Sequence, residues 1–278
     1  ADVMSSFLVQ VREIQHEPRS LKERQNCFHQ NGARFHSCRY HQKGLRLNVV
    51  CIALGNNGIG TLKEKSLHAD IKKWYAQPGD QFEVPVDGFI IDIVRDNLLI
   101  EIQTSNFSSV KEKLRALVSK RHVRLVHPIS TENWIVRESL NGNSIIGRRR
   151  SPKRMSVYDM FDELVSIPDL MRNQNFELEI LLIKSEETRR RDGKGTWRRG
   201  GWSIYDKKLL EVESTKLFRS NSEFASLVPE ELERPFTTTD LSFALGISKR
   251  IARKMAYSLR KSGTLVQVGR RGNAILYE

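Results

Sequence analysis

From Thr61 onward the apolar positions fall into alternating helical and strand-like periods. Leu62, the pair Ser66 and Leu67, Ile71 and Trp74 recur at helical spacing, and Gln77-Pro78-Gly79-Asp80 ends the run. Residues 82–94 are rich in Val, Ile and Phe, which predicts a strand, and a second apolar run over 98–104 follows across the short link Asp96-Asn97. Asn106 is the expected N-cap of a helix whose apolar stripe is Phe107, Val110, Leu114, Leu117 and Val118. Residues 123–126 predict a closing strand, ended by Pro128. Further on, 157–171 reads as a helix, and 178–183 and 202–212 read as strands around the basic loop 189–195. Past Pro235 the pattern becomes a short helix over 238–245, a turn at Gly246-Ile247-Ser248, a second helix capped by Gly263, and a final hairpin.

The first sixty residues show little periodicity before Leu45 and end in Gly55-Asn56-Asn57-Gly58. The expectation is therefore an α/β chain, α+β mixed, in four parts: a basic segment at 1–60, a compact core at 61–129, a mixed middle at 130–230 and a helical tail at 231–278.

Composition narrows the partners. The chain has 278 residues, 39% of them apolar, enough for a substantial core. Its 46 Lys and Arg outweigh 33 Asp and Glu, a net charge of +13 that favours a polyanion, with nucleic acid ahead of an anionic membrane surface. No apolar run approaches the roughly 18 to 20 residues of a membrane span. Cys27, Cys38 and Cys51 are too few for a disulfide framework. Together these predict a soluble, cytoplasmic and nucleoid-associated protein with no membrane embedding.

The chemistry concentrates in one hairpin. With Asp96-Asn97 as its loop, Arg95 pairs with Leu98, Val94 with Leu99, Ile93 with Ile100, and Asp92 with Glu101. Facing carboxylates repel unless a proton or cation lies between them. Mg²⁺ or Mn²⁺ suits oxygen ligands and leaves positions for a phosphate and an attacking water. Gln103 shares the face of Glu101, and Ile91, Ile93, Ile100 and Ile102 make the opposite face, expected as core.

A helix, an Asp strand, a Glu-x-Gln strand, a helix and a strand resemble the PD-(D/E)xK nuclease core, of the kind found in restriction endonucleases and Holliday-junction resolvases. The likeness covers about 70 of 278 residues. It implies a metal-dependent DNA endonuclease, with Asp92 and Glu101 holding Mg²⁺ and Gln103 standing where the family usually has lysine. That substitution occurs both in active restriction enzymes and in inactive domains, so a DNA-binding regulator built on a degenerate core is the alternative. The resemblance also implies an acidic ligand from the preceding helix, for which Glu64 is the candidate, with His68 one turn on as a contact to a metal ligand or to the phosphate. Asp87 is a rival to Asp92 if the strand is bulged.

Two other constellations stand out. Cys27, His29, His36, Cys38 and His41 crowd possible Zn²⁺ ligands into a short segment, at spacings unlike those of common structural sites. The tail resembles a winged helix-turn-helix, in which Lys249, Arg250, Arg253, Arg260, Arg270 and Arg271 are placed to meet DNA phosphates or base edges. The nuclease and winged-helix order resembles transposon end-cleaving nucleases. A homodimer or a partner protein is compatible with either reading. Basic runs at 148–150 and 189–191, the latter near Trp197 and Trp202, add a further nucleic-acid surface.

Overall fold

The computed structural model describes residues 66–278 and the backbone of three strands before them, β1 (Gln25–Gln30), β2 (Ala33–Gln42) and β3 (Leu45–Ile52). The chain divides into two compact units, 1–62 and 63–278. In the first, the strands form an antiparallel sheet in the order β1-β2-β3. The side chains of Cys27, His29, His36, Cys38 and His41 lie outside the described residues.

The second unit is a mixed α/β structure around a seven-stranded sheet. Helix α1 (Ser66–Tyr75) is followed by β4 (Gln81–Val86), β5 (Phe89–Arg95) and β6 (Leu98–Ile102), then helix α2 (Lys111–Val118) and the long strand β7 (His122–Glu138). β4, β5 and β6 form an antiparallel meander, and α2 is the crossover that makes β7 parallel to β6. On the far side of β7 lie β9 (Phe176–Arg190), parallel to it, and β10 (Ser203–Phe218), antiparallel to β9. Strand β8 (Ile145–Arg150) pairs with the distal part of β7.

Helices cover both faces. Leu67, Ile71 and Tyr75 of α1 pack with Ile93, Ile100, Ile102 and Val126. Leu114, Leu117 and Val118 of α2 pack on the other face with Ile91, Leu99, Val123 and Leu125. Ile91 therefore does not share a face with Ile93, as strict alternation predicted, and both faces are core. Helix α1 is fastened to the far edge, where Ser66 donates to Asp206 at 2.6 Å and Leu209 N–H donates to Asp70 at 3.0 Å.

Several expectations need correction. The apolar stretch at 82–94 is a hairpin, because Asp87 and Gly88 take positive φ (50° and 86°) at a tight turn. Asn106 is left-handed (φ 59°) and its side chain makes no cap; a 3₁₀ turn at Phe107–Ser109 intervenes before α2. Pro128 does not end β7. Val126 directs its carbonyl to Gln103 N–H (2.9 Å), so Pro128, two residues on, turns its nitrogen to the same side, where β6 has already ended. The helix expected at 157–171 is broken into a 3₁₀ turn (Val157–Met160), helix α3 (Phe161–Leu164) and a second 3₁₀ turn opened by Pro168.

Helix α4 (Asn221–Ala225) follows β10, and the tail comprises α5 (Thr238–Leu245), α6 (Lys249–Lys261) and the hairpin β11 (Gln267–Arg271) and β12 (Ala274–Tyr277). Thr237 and Ser248 cap α5 and α6, and Gly246 closes α5 with φ 62°. The divisions expected at 130 and 231 do not separate cores. Phe236, Met255 and Leu259 of the tail join Phe161, Leu164 and Leu117 in one apolar cluster.

Phe236→Ala should therefore cost about 3–5 kcal/mol. All four tryptophans lie outside the tail (Trp74, Trp134, Trp197, Trp202). The loss should nevertheless appear equally in tryptophan fluorescence and far-UV circular dichroism, as one shifted urea transition. A tail that melts first, without a change in fluorescence, would refute the shared core.

Candidate active site

The ladder between β5 and β6 holds from Arg95↔Leu98 to Ile93↔Ile100. At Asp92 the strands part, and the carboxylate itself accepts the Ile102 N–H at 2.8 Å, in place of the expected pairing with Glu101. Opposite, β4 is distorted without a slip of register, where Glu83 has φ 53° between the pairs Phe82↔Ile93 and Val84↔Ile91. Asp92 thus sits in a fork of the sheet.

From α1, His68 Nε2 lies 3.2 Å from Asp92 Oδ2 and Lys72 Nζ lies 3.4 Å from Oδ1; Lys72 also pairs with Glu83. Burial alone would raise the Asp92 pKa. The hydrogen bond and charge of His68, the Ile102 N–H and Lys72 outweigh burial and hold the carboxyl below its ordinary value.

Glu101 is the opposite case. Only 7% exposed, its carboxylate accepts from Lys113 Nζ at 2.6 Å, and Lys113, projecting from α2, also donates to the Ile90 carbonyl at 2.5 Å. Burial and then the nearby charge of Asp92 push the Glu101 pKa up to about 7, against the lowering effect of Lys113. One acid is held ionised and the other is poised near neutrality.

Gln103 lies just past β6. Its amide NH₂ donates to the Ser105 carbonyl at 2.6 Å, which binds it to the following loop. Beneath it, buried His127 meets the Gln103 carbonyl through Nδ1 at 2.7 Å and packs edge-on against Phe107 at 4.9 Å. Burial lowers the His127 pKa.

Of the expected site residues, Asp92, Glu101 and His68 converge. Glu64 lies outside the described residues. Asp87 belongs to the β4–β5 turn and faces Arg121 at 3.7 Å. Among the described residues no three His, Cys, Asp or Glu side chains form a group that could hold a metal ion. Lys72 and Lys113 were missed by sequence reasoning. Lys72 follows His68 by one helical turn, a spacing that could have found it; Lys113 is one of several cations on its helix, with nothing in its spacing to single it out.

In the tail, Lys249, Arg253 and Arg270 are exposed and Arg260 is half-buried. Arg271 lies 3.6 Å from Asp240. Arg250 is not free for phosphate, since its guanidinium grips Asp162, which Lys254 also approaches at 3.0 Å. That ion cluster docks α6 on α3.

Residues 65–219, more than half of the chain and the whole span from α1 to β10, match the family described as a domain of unknown function (DUF8091), and the chain belongs to that family. It is 31% identical over 221 residues to an uncharacterized protein of Treponema pallidum (strain Nichols), covering 79% of this chain and 86% of the relative. No solved structure matches. Among the described residues, no helix is long and apolar enough to cross a membrane.

The raised pKa of Glu101 has a thermodynamic signature. Between its ordinary 4.5 and about 7 the folded state binds more protons than the unfolded state, so stability falls as pH rises through that window. The scale is on the order of 3 kcal/mol. Glu101→Gln keeps an oxygen for Lys113 and discards the charge. Its unfolding temperature should exceed that of the wild type at pH 8, with the gap closing towards pH 5. A gap independent of pH would sink this assignment.

Proposed function

We propose that the chain is a metal-dependent DNA endonuclease of the PD-(D/E)xK type, with Asp92 and Glu101 as its acids. The observation that carries the reading is the buried carboxylate pair in a forked hairpin, on the element order α1-β4-β5-β6-α2-β7. Isoleucine-rich strands are a costly place for two acids unless a cation is to be bound. The donor set fits a hard divalent cation: both ligands are carboxylates, and their mutual repulsion is what such an ion relieves. Asp92 and Glu101 would hold it, with Glu64 as the third acid. Bound there, Mg²⁺ or Mn²⁺ would supply charge stabilisation at the phosphate and acidify a water.

The protein's own groups have separate parts. His68 and Lys72 keep Asp92 ionised and fixed. Lys113 reaches Glu101 from α2, bringing to the acid pair the cation that Gln103 cannot supply. The exposed residues Lys249, Arg253, Tyr257 and Lys261 follow one another at four-residue intervals along α6, a basic stripe suited to DNA phosphates. The cellular setting that follows is association with the nucleoid.

One observation favours a second reading, a DNA-binding regulator without catalysis. Lys113 already pairs with Glu101, and His68 and Lys72 already attend Asp92, so each acid has a cationic partner within the protein itself.

Plasmid, linear, branched and single-stranded DNA incubated with Mg²⁺ or Mn²⁺ separate the two. On the nuclease reading the wild type cuts at least one, and Asp92→Ala and Glu101→Ala each lose at least about 100-fold, the scale of losing a charge-stabilising group. No cutting, with salt-sensitive DNA binding intact in all three proteins, establishes the regulator.

Arg253→Ala should reduce the slope of log affinity against log salt for duplex DNA by about one. Arg250→Ala should leave that slope alone and lower the unfolding temperature, since its partner is Asp162. The reverse result would remove α6 from the DNA interface.

A further inference from the structure

Beyond the end of β6 the sheet continues as an arm. There β8 takes the edge that β6 vacates, pairing with β7 from Trp134 to Glu138, and the order becomes β10-β9-β7-β8. Arginines lie over its aromatic rings: Arg148 over Trp134 at 4.1 Å from the ring centroid, Arg190 over Tyr205 at 3.4 Å, and Arg137 and Arg191 over Trp202 at 5.0 and 5.2 Å. Arg148 and Arg190 are also held by Glu186 and Glu138. Arg149 and Arg191 instead reach backbone carbonyls, of Arg150 and Gly200, and keep their charge for an outside anion.

At the tip, the β9–β10 connection presents Trp197 at 84% exposure with Arg198 and Arg199 beside it. This loop is built. Trp197–Arg199 is a 3₁₀ turn closed by bonds from Arg199 N–H and Gly201 N–H to the Thr196 carbonyl. A Cβ on Gly195 would stand 2.0 Å from the Gly201 carbonyl oxygen, so the two sides of the loop meet backbone to backbone. An indole held out to water on an ordered turn, among cations, is a stacking platform.

We propose that this arm holds a single-stranded stretch of nucleic acid, with an unpaired base stacked on Trp197 and the neighbouring phosphates on Arg198, Arg199, Arg149 and Arg191. In a duplex the base faces are already stacked on one another, so Trp197 discriminates in favour of an open strand. The substrate class follows: nucleic acid in which an unpaired strand accompanies the duplex bound by α6. This rests on the nuclease reading for the location of the cut. Leu125, beside Glu101, and Arg137 are separated along β7 by roughly 40 Å at about 3.3 Å per residue, about a dozen nucleotides of stacked strand.

The test is binding in EDTA, where cutting plays no part. Fluorescence anisotropy would use a labelled 20-nucleotide single strand as DNA, the same strand as RNA, and a blunt duplex, on the full chain. Trp197→Ala should weaken single-strand binding about ten-fold or more and change duplex binding less than two-fold, while Trp197→Phe should restore most of the loss. The DNA and RNA arms then identify which strand the arm accepts. Equal losses on strand and duplex, no loss on either, or no single-strand binding by the wild type would each overturn the proposal. Binding is read in EDTA and cutting in Mg²⁺, so that failure to cut and failure to bind remain separate results.

Discussion

Strand β7 carries the structure because it is hydrogen-bonded to two parallel neighbours, β6 over its first residues and β9 over nearly its whole length. Parallel strands need crossovers, and the two that serve β7 lie in the apolar cluster on the α2 face: α2 before it, and α3 with its flanking 3₁₀ turns after it. The tail docks on the second crossover. One strand therefore sets the position of the carboxylate hairpin, the surface that receives α6 and the arm beyond β6. Its length is possible only because Pro128 falls where no neighbour asks for its N–H.

The fork at Asp92 follows from the same frame. β6 is held on one side by β7 through Ile102↔Val126, while β5 leaves it after Ile93↔Ile100. The opening exposes the Ile102 N–H, and the carboxylate that fills the gap gains a backbone donor in an otherwise apolar region. Glu101 has no comparable donors beyond Lys113, and burial wins. The asymmetry comes from the partners: His68 first, then the Ile102 N–H and Lys72, hold Asp92 ionised, whereas Glu101 has Lys113 against burial and the charge of Asp92. A divalent ion would be bound against Lys113 and Lys72, so its affinity depends on how readily these amines give way.

Much of the core was legible because its periodicity is strong. The 93–100, 94–99 and 95–98 pairs follow from the Asp96-Asn97 turn alone, and the stripe of α2 from its spacing. The Asp87-Gly88 turn was written in the chain and outweighed by the apolar residues around it, which made one strand of two. The Asp92–Glu101 pairing failed because strict alternation has no means of showing that the β5–β6 ladder opens after Ile93↔Ile100, or that Glu83 takes a positive φ beside it. Lys113 was hidden since it approaches from a helix packed across the sheet, a tertiary fact. Strand β9 was underestimated because its distal half, 184–190, is made of Lys, Ser, Glu, Thr and Arg, and β10 because it runs on past 212 through Glu213, Ser214, Thr215 and Lys216. Such residues satisfy a ladder as well as valines do but carry no hydrophobic signal.

That polar extension of the sheet is itself informative. A strand end without helix cover has little apolar area to bury, so its order must come from ladder bonds, ion pairs and stacked guanidinium groups. Holding a row of arginines together also concentrates positive charge, which is unfavourable for the isolated protein. The acidic partners Glu132, Glu138, Glu186 and Glu187 offset part of it. They lie within the arm's strands, whereas the exposed cations of the 189–199 loop face Asp192 alone among nearby acids in sequence. Self-repulsion is thus relieved where the arm must be rigid and left standing at its tip, where a polyanion can relieve it instead.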